Sequence, residues 1–215
     1  MIRFKDRESA AKELRKTLPI EQMRTENWNL ISVSTGGLEL AYNVNKRLSL
    51  PLDILISASI VAPQNTECEI ARVCETEEMV IHDVLCDSFD IQLDFVYAEA
   101  IRKHEEVILP NMYKYRKGRH FESKKGEVVL ILDEASETGL KLMLAIKAIL
   151  SQQPKAVYVA VPVLPQEVLD AIEPLVDDIF FLKEIENFKE TPCYYETLER
   201  VSDETVKMIL KKDNE

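Results

Sequence analysis

Glycine is scarce, with five among 215 residues, at positions 36, 37, 118, 126 and 139. No Pro- or Gly-rich stretch, low-complexity segment or internal repeat divides the chain, so one domain is expected over residues 1–215. The four cysteines, at 68, 74, 86 and 193, show no CxxC spacing, and the three histidines form no HExxH. A zinc site is therefore not expected. No GxxxxGK[ST] is present, so a P-loop ATPase is not expected. No apolar run approaches the roughly 18 residues a membrane span needs. The first residues, MIRF, carry no signal-peptide pattern, so reduced thiols and a cytoplasmic location are expected. Positive charge is short as well: 27 Lys+Arg face 38 Asp+Glu, a net charge of −11. General binding to nucleic acid or to an anionic membrane starts from the opposite balance.

What remains is an ordinary globular composition, 46% hydrophobic and 30% charged. A chain of this length buries roughly 70–75% of its surface on folding and needs no metal or disulfide to hold a core. Its apolar residues alternate between two periods. Residues 6–18 (DRESAAKELRKTL) repeat at helical spacing, with acids first and bases later. NLISVS (29–34) is a short apolar run that stops at Gly36-Gly37, and residues 38–48 resume a helical rhythm. LDILISASI (52–60), between Pro51 and Pro63, reads as one buried strand. Residues 88–119 are mostly helical in pattern, with Pro110 as a kink or break. EVVLILD (127–133) is the most strand-like segment, followed by a helix over 140–150. Strands at 156–163 and 179–182 flank a short helix at 166–175, and a last helix opens at Ser202-Asp203-Glu204. Apolar strands alternating with helices predict an α/β fold: a parallel central sheet with helices on both faces.

Ligands of such a sheet bind beyond the carboxyl ends of its strands. Three segments qualify on that ground: Ser34 to Gly37, Ser57 to Ser59, and Asp133 to Gly139. Three of the five glycines fall in the first and last. Glycine tolerates positive φ and lets backbone N–H groups approach an anion, and a helix start adds a favourable dipole. Plain tight turns would use glycine too. Asp133-Glu134 can accept hydrogen bonds from a vicinal diol or hold a metal through water, or can serve the next helix as an acidic start.

The segment VVLILDEASETGLK (128–141) resembles the ribose-phosphate motif of type I phosphoribosyltransferases: apolar strand, two acids, small-residue loop, Thr-Gly, helix. Further strings fit bacterial members of about this length. They are Phe4 to Arg7 with Ala11 and Leu14, Gly36-Gly37, Pro51 to Leu55, Ala62-Pro63 with Asn65 and Glu67, Tyr115-Arg116, Ala160 to Val163, and Val201 to Glu204. The resemblance implies displacement of pyrophosphate from C1 of phosphoribosyl pyrophosphate, with magnesium, onto a nucleobase-like acceptor. It implies that Asp133 and Glu134 hold the ribose hydroxyls and approach the metal indirectly, through ligand or water. Ala135, Ser136, Glu137, Thr138 and Gly139 would cradle the 5′-phosphate, and Thr35, Gly36 and Gly37 the pyrophosphate. A homodimer is implied by the same resemblance.

The family pattern is not followed throughout. Thr35 stands where an arginine usually precedes the glycine pair, and Ala58-Ser59 where Arg-Lys is usual. Within the loop Ala135 replaces glycine, Glu137 alanine, and Leu140-Lys141 Ala-Thr. A carboxylate about 6 Å from a phosphate costs on the order of 1–3 kcal/mol, which Lys141 would offset by pairing with Glu137 at i, i+4. A catalytically inactive member of the fold, binding a nucleotide, a phosphorylated ligand or a protein partner, is the alternative. Residues 113–125 (YKYRKGRHFESKK) hold six Lys+Arg. They read as a solvated connection or as a basic flap carrying Tyr115 and Arg116. Trp28 is expected in core or rim packing.

Overall fold

The computed structural model describes residues 3–212. Within the stretch read as one α/β domain, two compact units form: residues up to Ile54 with those from Ser123 onward, and Leu55–Glu122.

The first unit begins with α1 (Arg7–Leu14), capped by Asp6, whose carboxylate accepts from Ser9 N at 2.8 Å. Then come α2 (Ile20–Thr25), β1 (Asn29–Ser32), α3 (Thr35–Asn45) and β2 (Leu52–Ile54). It resumes with β6 (Val128–Leu132), α7 (Leu140–Leu150), β7 (Ala156–Pro165), α8 (Gln166–Ile172), β8 (Asp178–Ile185) and α9 (Asp203–Lys212). The intervening strands, β3 (Ser57–Ala62), β4 (Asn65–Cys74) and β5 (Met79–Ile81), belong to the second unit.

All five strands of this sheet run parallel, in the order β2-β1-β6-β7-β8. Every residue of β1 and β6 is buried, which is why both read as continuous apolar runs rather than alternating ones. Right-handed crossovers fix where the helices go. From β1 the chain moves outward through α3 to β2; from β6 it moves the other way through α7 to β7. The two helices therefore lie on opposite faces, and the order reverses between β1 and β6. That reversal is the topological switch point, where a crevice opens at the carboxyl ends. Trp28, fully buried, stacks on Tyr158 with ring centroids 4.4 Å apart, so it is a core residue. The four cysteines are free thiols.

The second unit corrects the reading of residues 52–60 as one strand. The run breaks after Ile54, and β3 (Ser57–Ala62) pairs antiparallel with β4 (Asn65–Cys74), which pairs with β5 (Met79–Ile81). The break is invisible in an unbroken apolar run because it is made by a distant residue. Glu75 accepts from Ile56 N at 2.8 Å, and its own N–H donates to Ile56 O at 3.0 Å. Ser57 to Ser59 thus lie in an antiparallel hairpin, not at the carboxyl end of a parallel strand. Helices α4 (Asp83–Ser88), α5 (Leu93–Lys103) and α6 (Leu109–Arg116) complete the unit. Pro110 does not interrupt them: His104–Ile108 wind as a π-helical turn, and the proline sits in the first turn of α6, where its missing N–H is tolerated.

Candidate functional site

Two turns meet at the switch point. The first, after β1, is closed by Ser34. Its hydroxyl accepts from Gly37 N at 2.9 Å, capping α3, and donates to Asp133 Oδ1 at 2.6 Å. Gly36 and Gly37 are helical here, so positive φ is not why they are glycines. A Cβ on Gly37 would stand 2.8 Å from Asp133 Oδ1, and one on Gly36 would collide with the Glu134 carboxylate. The glycine pair makes room for the acid pair of the neighbouring strand. That is a sharper reason than turn geometry alone.

Asp133 has a fully buried side chain. Besides Ser34, Oδ1 accepts from Glu134 N at 2.9 Å, and Oδ2 lies 3.0 Å from Lys141 Nζ. The expected partner of Lys141, Glu137, is not the one it takes. Glu134 keeps 17% of its side chain exposed and is ion-paired through Oε2 with Arg7 Nε. Arg7 also donates from Nη1 to Glu39 Oε2 at 3.1 Å and to Glu199 O at 2.7 Å. Burial pushes the Glu134 carboxyl above the usual range, with the Asp133 charge adding to the rise; Arg7 and Lys141 pull the other way. The Tyr195 hydroxyl donates to Glu134 O at 2.7 Å, and burial beside these carboxylates raises its pKa, which keeps it a donor.

The second turn, residues 135–139, differs. Ala135 and Ser136 are buried, Glu137 and Thr138 exposed. Gly139 takes φ +76, a position glycine suits, and α7 starts there with no side-chain cap. Ser136 Oγ is buried without a hydrogen-bond partner. Buried hydroxyls are nearly always satisfied, so a ligand oxygen is a natural complement to this one. Glu137 turns from the loop: its Oε1 accepts from Thr191 N at 2.7 Å and Thr191 Oγ1 at 2.8 Å.

The structure thus brings together Thr35, Gly36, Gly37, Asp133, Glu134, Ala135, Ser136, Thr138 and Gly139. Tyr115 and Arg116 lie in the second unit, at the end of α6, and Arg116 is buried in an ion pair with Glu75 rather than carried on an exposed flap. Sequence reasoning placed Ser34 in a candidate turn without a role of its own, missed Tyr195, and placed Arg7 only as part of the opening helix. No local signal ties Tyr195 or Arg7 to the site, since they reach Glu134 across 61 and 127 positions.

Two adjacent carboxylates suggest a metal, and the fit is poor for a resident one. Among the described residues no group of three His, Cys, Asp or Glu side chains gathers to hold an ion. Each acid already faces a protein cation, Lys141 or Arg7. Magnesium would have to arrive with a ligand.

The family model for the phosphoribosyl transferase domain matches residues 3–197. The chain belongs to that family. Two Mycobacterium tuberculosis proteins, from strains CDC 1551 and H37Rv and each named "Putative phosphoribosyl transferase", are 23% identical to it over 210 residues. That alignment covers 97% of this chain and 46% of theirs, so the chain spans about half the length of these relatives. The crystal structure of TT1426 from Thermus thermophilus is 26% identical, with a TM-score of 0.79, over 98% of this chain and 99% of that one. The chain thus carries a phosphoribosyl transferase domain, built on a five-stranded parallel sheet. No described helix is long and apolar enough to cross a membrane.

Proposed function

We propose that this domain binds a 5-phosphorylated ribose at the switch point and transfers a phosphoribosyl group from magnesium–phosphoribosyl pyrophosphate to a nitrogenous, nucleobase-like acceptor. The observation that carries the reading is the uncapped start of α7 beside the buried, unpartnered hydroxyl of Ser136. An anion there gains the helix dipole, backbone donors and one side-chain donor together. Glu134, the acid with an exposed share, faces the sugar and accepts from its hydroxyls. Asp133 serves as the buried anchor of both turns. The acceptor nitrogen attacks C1, the bond from C1 to the pyrophosphate oxygen breaks, and the leaving group departs toward Thr35 to Gly37. The nitrogen's proton is released to solvent. A transition state with oxocarbenium character is served mostly by positioning and by stabilising the leaving group.

A second reading, a binder without turnover, is favoured by Thr35 and Ser59 where relatives usually place cations. One experiment separates them: thermal shift with magnesium–phosphoribosyl pyrophosphate and with ribose 5-phosphate, followed by pyrophosphate release over a panel of bases. Ligand at about 100 times its Kd should raise the midpoint by about 5–10 °C. A shift with pyrophosphate release supports the transferase, and a shift without release on any base supports the binder. No shift at millimolar ligand removes both.

A further inference from the structure

We propose that Arg7 is a positioning residue that holds Glu134 in the orientation a ribose diol requires. This rests on the reading of Glu134 as the acid that accepts from the sugar. Three observations carry it. Arg7 is buried, and its guanidinium divides its donors between Glu134 on one edge and Glu39 and Glu199 O on the other. On its far side the Glu134 carboxylate is pressed against Gly36, where any side chain would displace it. Above it, Tyr195 fixes the backbone carbonyl of the same residue. Glu134 is thus held from three elements, its carboxylate by two of them and its carbonyl by the third, and one of those grips is electrostatic.

The charged and titratable groups around Glu134 are few. They are Asp133 beside it, Lys141 from α7, Arg7 from α1 with Glu39 of α3 behind it, and Tyr195 from the segment after β8. Only Arg7 pairs directly with the Glu134 carboxylate among the ion pairs described. The arginine fork matters because one planar head meets three acceptors in different directions, which a lysine ammonium on a single stem cannot reproduce. The outer edge of Arg7 borders a cavity of about 590 Å³ between α1, α3, α9 and residues 197–202. Glu39, 37% exposed, stands at that edge and balances the guanidinium from the solvent side.

The test is the affinity of wild type, Arg7→Gln and Arg7→Lys for ribose 5-phosphate, 2-deoxyribose 5-phosphate and inorganic phosphate, by calorimetry. Inorganic phosphate reports on the 135–139 loop alone. The ratio of the two sugars reports on the carboxylate. Wild type should prefer the ribose ligand by about tenfold, the scale of one lost hydrogen bond to a charged group. Arg7→Gln should collapse that preference toward unity while leaving inorganic phosphate affinity unchanged, and Arg7→Lys should restore part of it. An undiminished sugar preference in folded Arg7→Gln overturns the proposal. So does parallel loss of inorganic phosphate binding, which would mean that Arg7 merely supports the loop. If Arg7→Gln does not fold, Arg7→Lys decides on the same ratio, an unchanged value counting against it. Failure of wild type to bind either sugar phosphate removes the site reading, and this inference with it.

Discussion

Two turns leave neighbouring parallel strands side by side and each opens an eleven-residue helix, yet they end in opposite states. The one after β1 is satisfied internally: Ser34 caps α3, and the first two glycines are packed against the two acids that follow β6. The one after β6 leaves α7 without a side-chain cap and buries a hydroxyl with no partner. Helix starts are equivalent in dipole and donors until the sequence assigns the cap. Here a serine at position 34 and a glycine at 139 decide which turn is closed upon itself and which is open to an anion.

Mutations can break that contrast. The largest effect is expected from Asp133→Ala, which orphans Ser34 Oγ and Glu134 N and strips Lys141 of a buried partner. It should cost about 2–4 kcal/mol in chemical denaturation. A loss under 1 kcal/mol would show that the two turns are not pinned through this side chain. Ser34→Ala and Ser136→Ala remove the same atom from the two turns. The first should lose about 1–2 kcal/mol of stability through its cap and its bond to Asp133. The second should leave stability nearly unchanged and weaken phosphate binding by about fivefold, near 1 kcal/mol. Similar outcomes for the two serines would erase the distinction.

A pH titration sharpens it further. The Glu134 carboxyl is raised by burial, so the folded protein holds this proton more tightly than the unfolded chain does. Its contribution to stability is therefore greatest at low pH and declines as pH rises from the ordinary glutamate range through the raised value. Ribose binding needs the ionised form and should run the other way, gaining affinity across that same interval, whereas inorganic phosphate at the loop should not follow it. Glu134→Gln should flatten both trends. The smallest effect is expected at Glu137→Ala. The side chain is exposed and turned toward Thr191, so stability should change by less than about 0.5 kcal/mol. Phosphate affinity should rise by less than about twofold, since a solvated charge is largely screened. A large gain would place that carboxylate over the loop.

Much of this was legible in the sequence where local pattern and tertiary role agree. EVVLILD is a buried parallel strand, residues 140–150 are a helix with the expected ends, and the acids and glycines of both turns fall where the sheet needs them. Legibility failed where one distant side chain decides. LDILISASI is apolar throughout, and nothing within it announces that Glu75 will seize Ile56 and turn the chain into a hairpin. β4 was hidden for a related reason: its burial changes from exposed to buried along its length instead of alternating. The partners of the acid pair escaped similarly. Lys141 at eight positions' remove joins Asp133 instead of Glu137, and Arg7 reaches Glu134 across more than half the chain.

The bridge between Phe4 and Tyr195 bears on the order in which the site comes into being. Phe4 N donates to Tyr194 O at 2.8 Å, and Glu196 N returns a bond to Phe4 O at 2.8 Å, joining segments some 190 residues apart. The core strands β1 and β6 can pair as soon as both have been synthesised. The grip of Tyr195 on Glu134, and the Glu199 carbonyl that steadies Arg7, must wait until residues 195–199 have emerged. Long-range closures of this kind are entropically costly and tend to form late. A nascent or truncated chain ending before Tyr195 would hold its sheet and its acid pair, yet lack the clasp that aims them, so the proposed sugar site would be completed only after the sheet has formed.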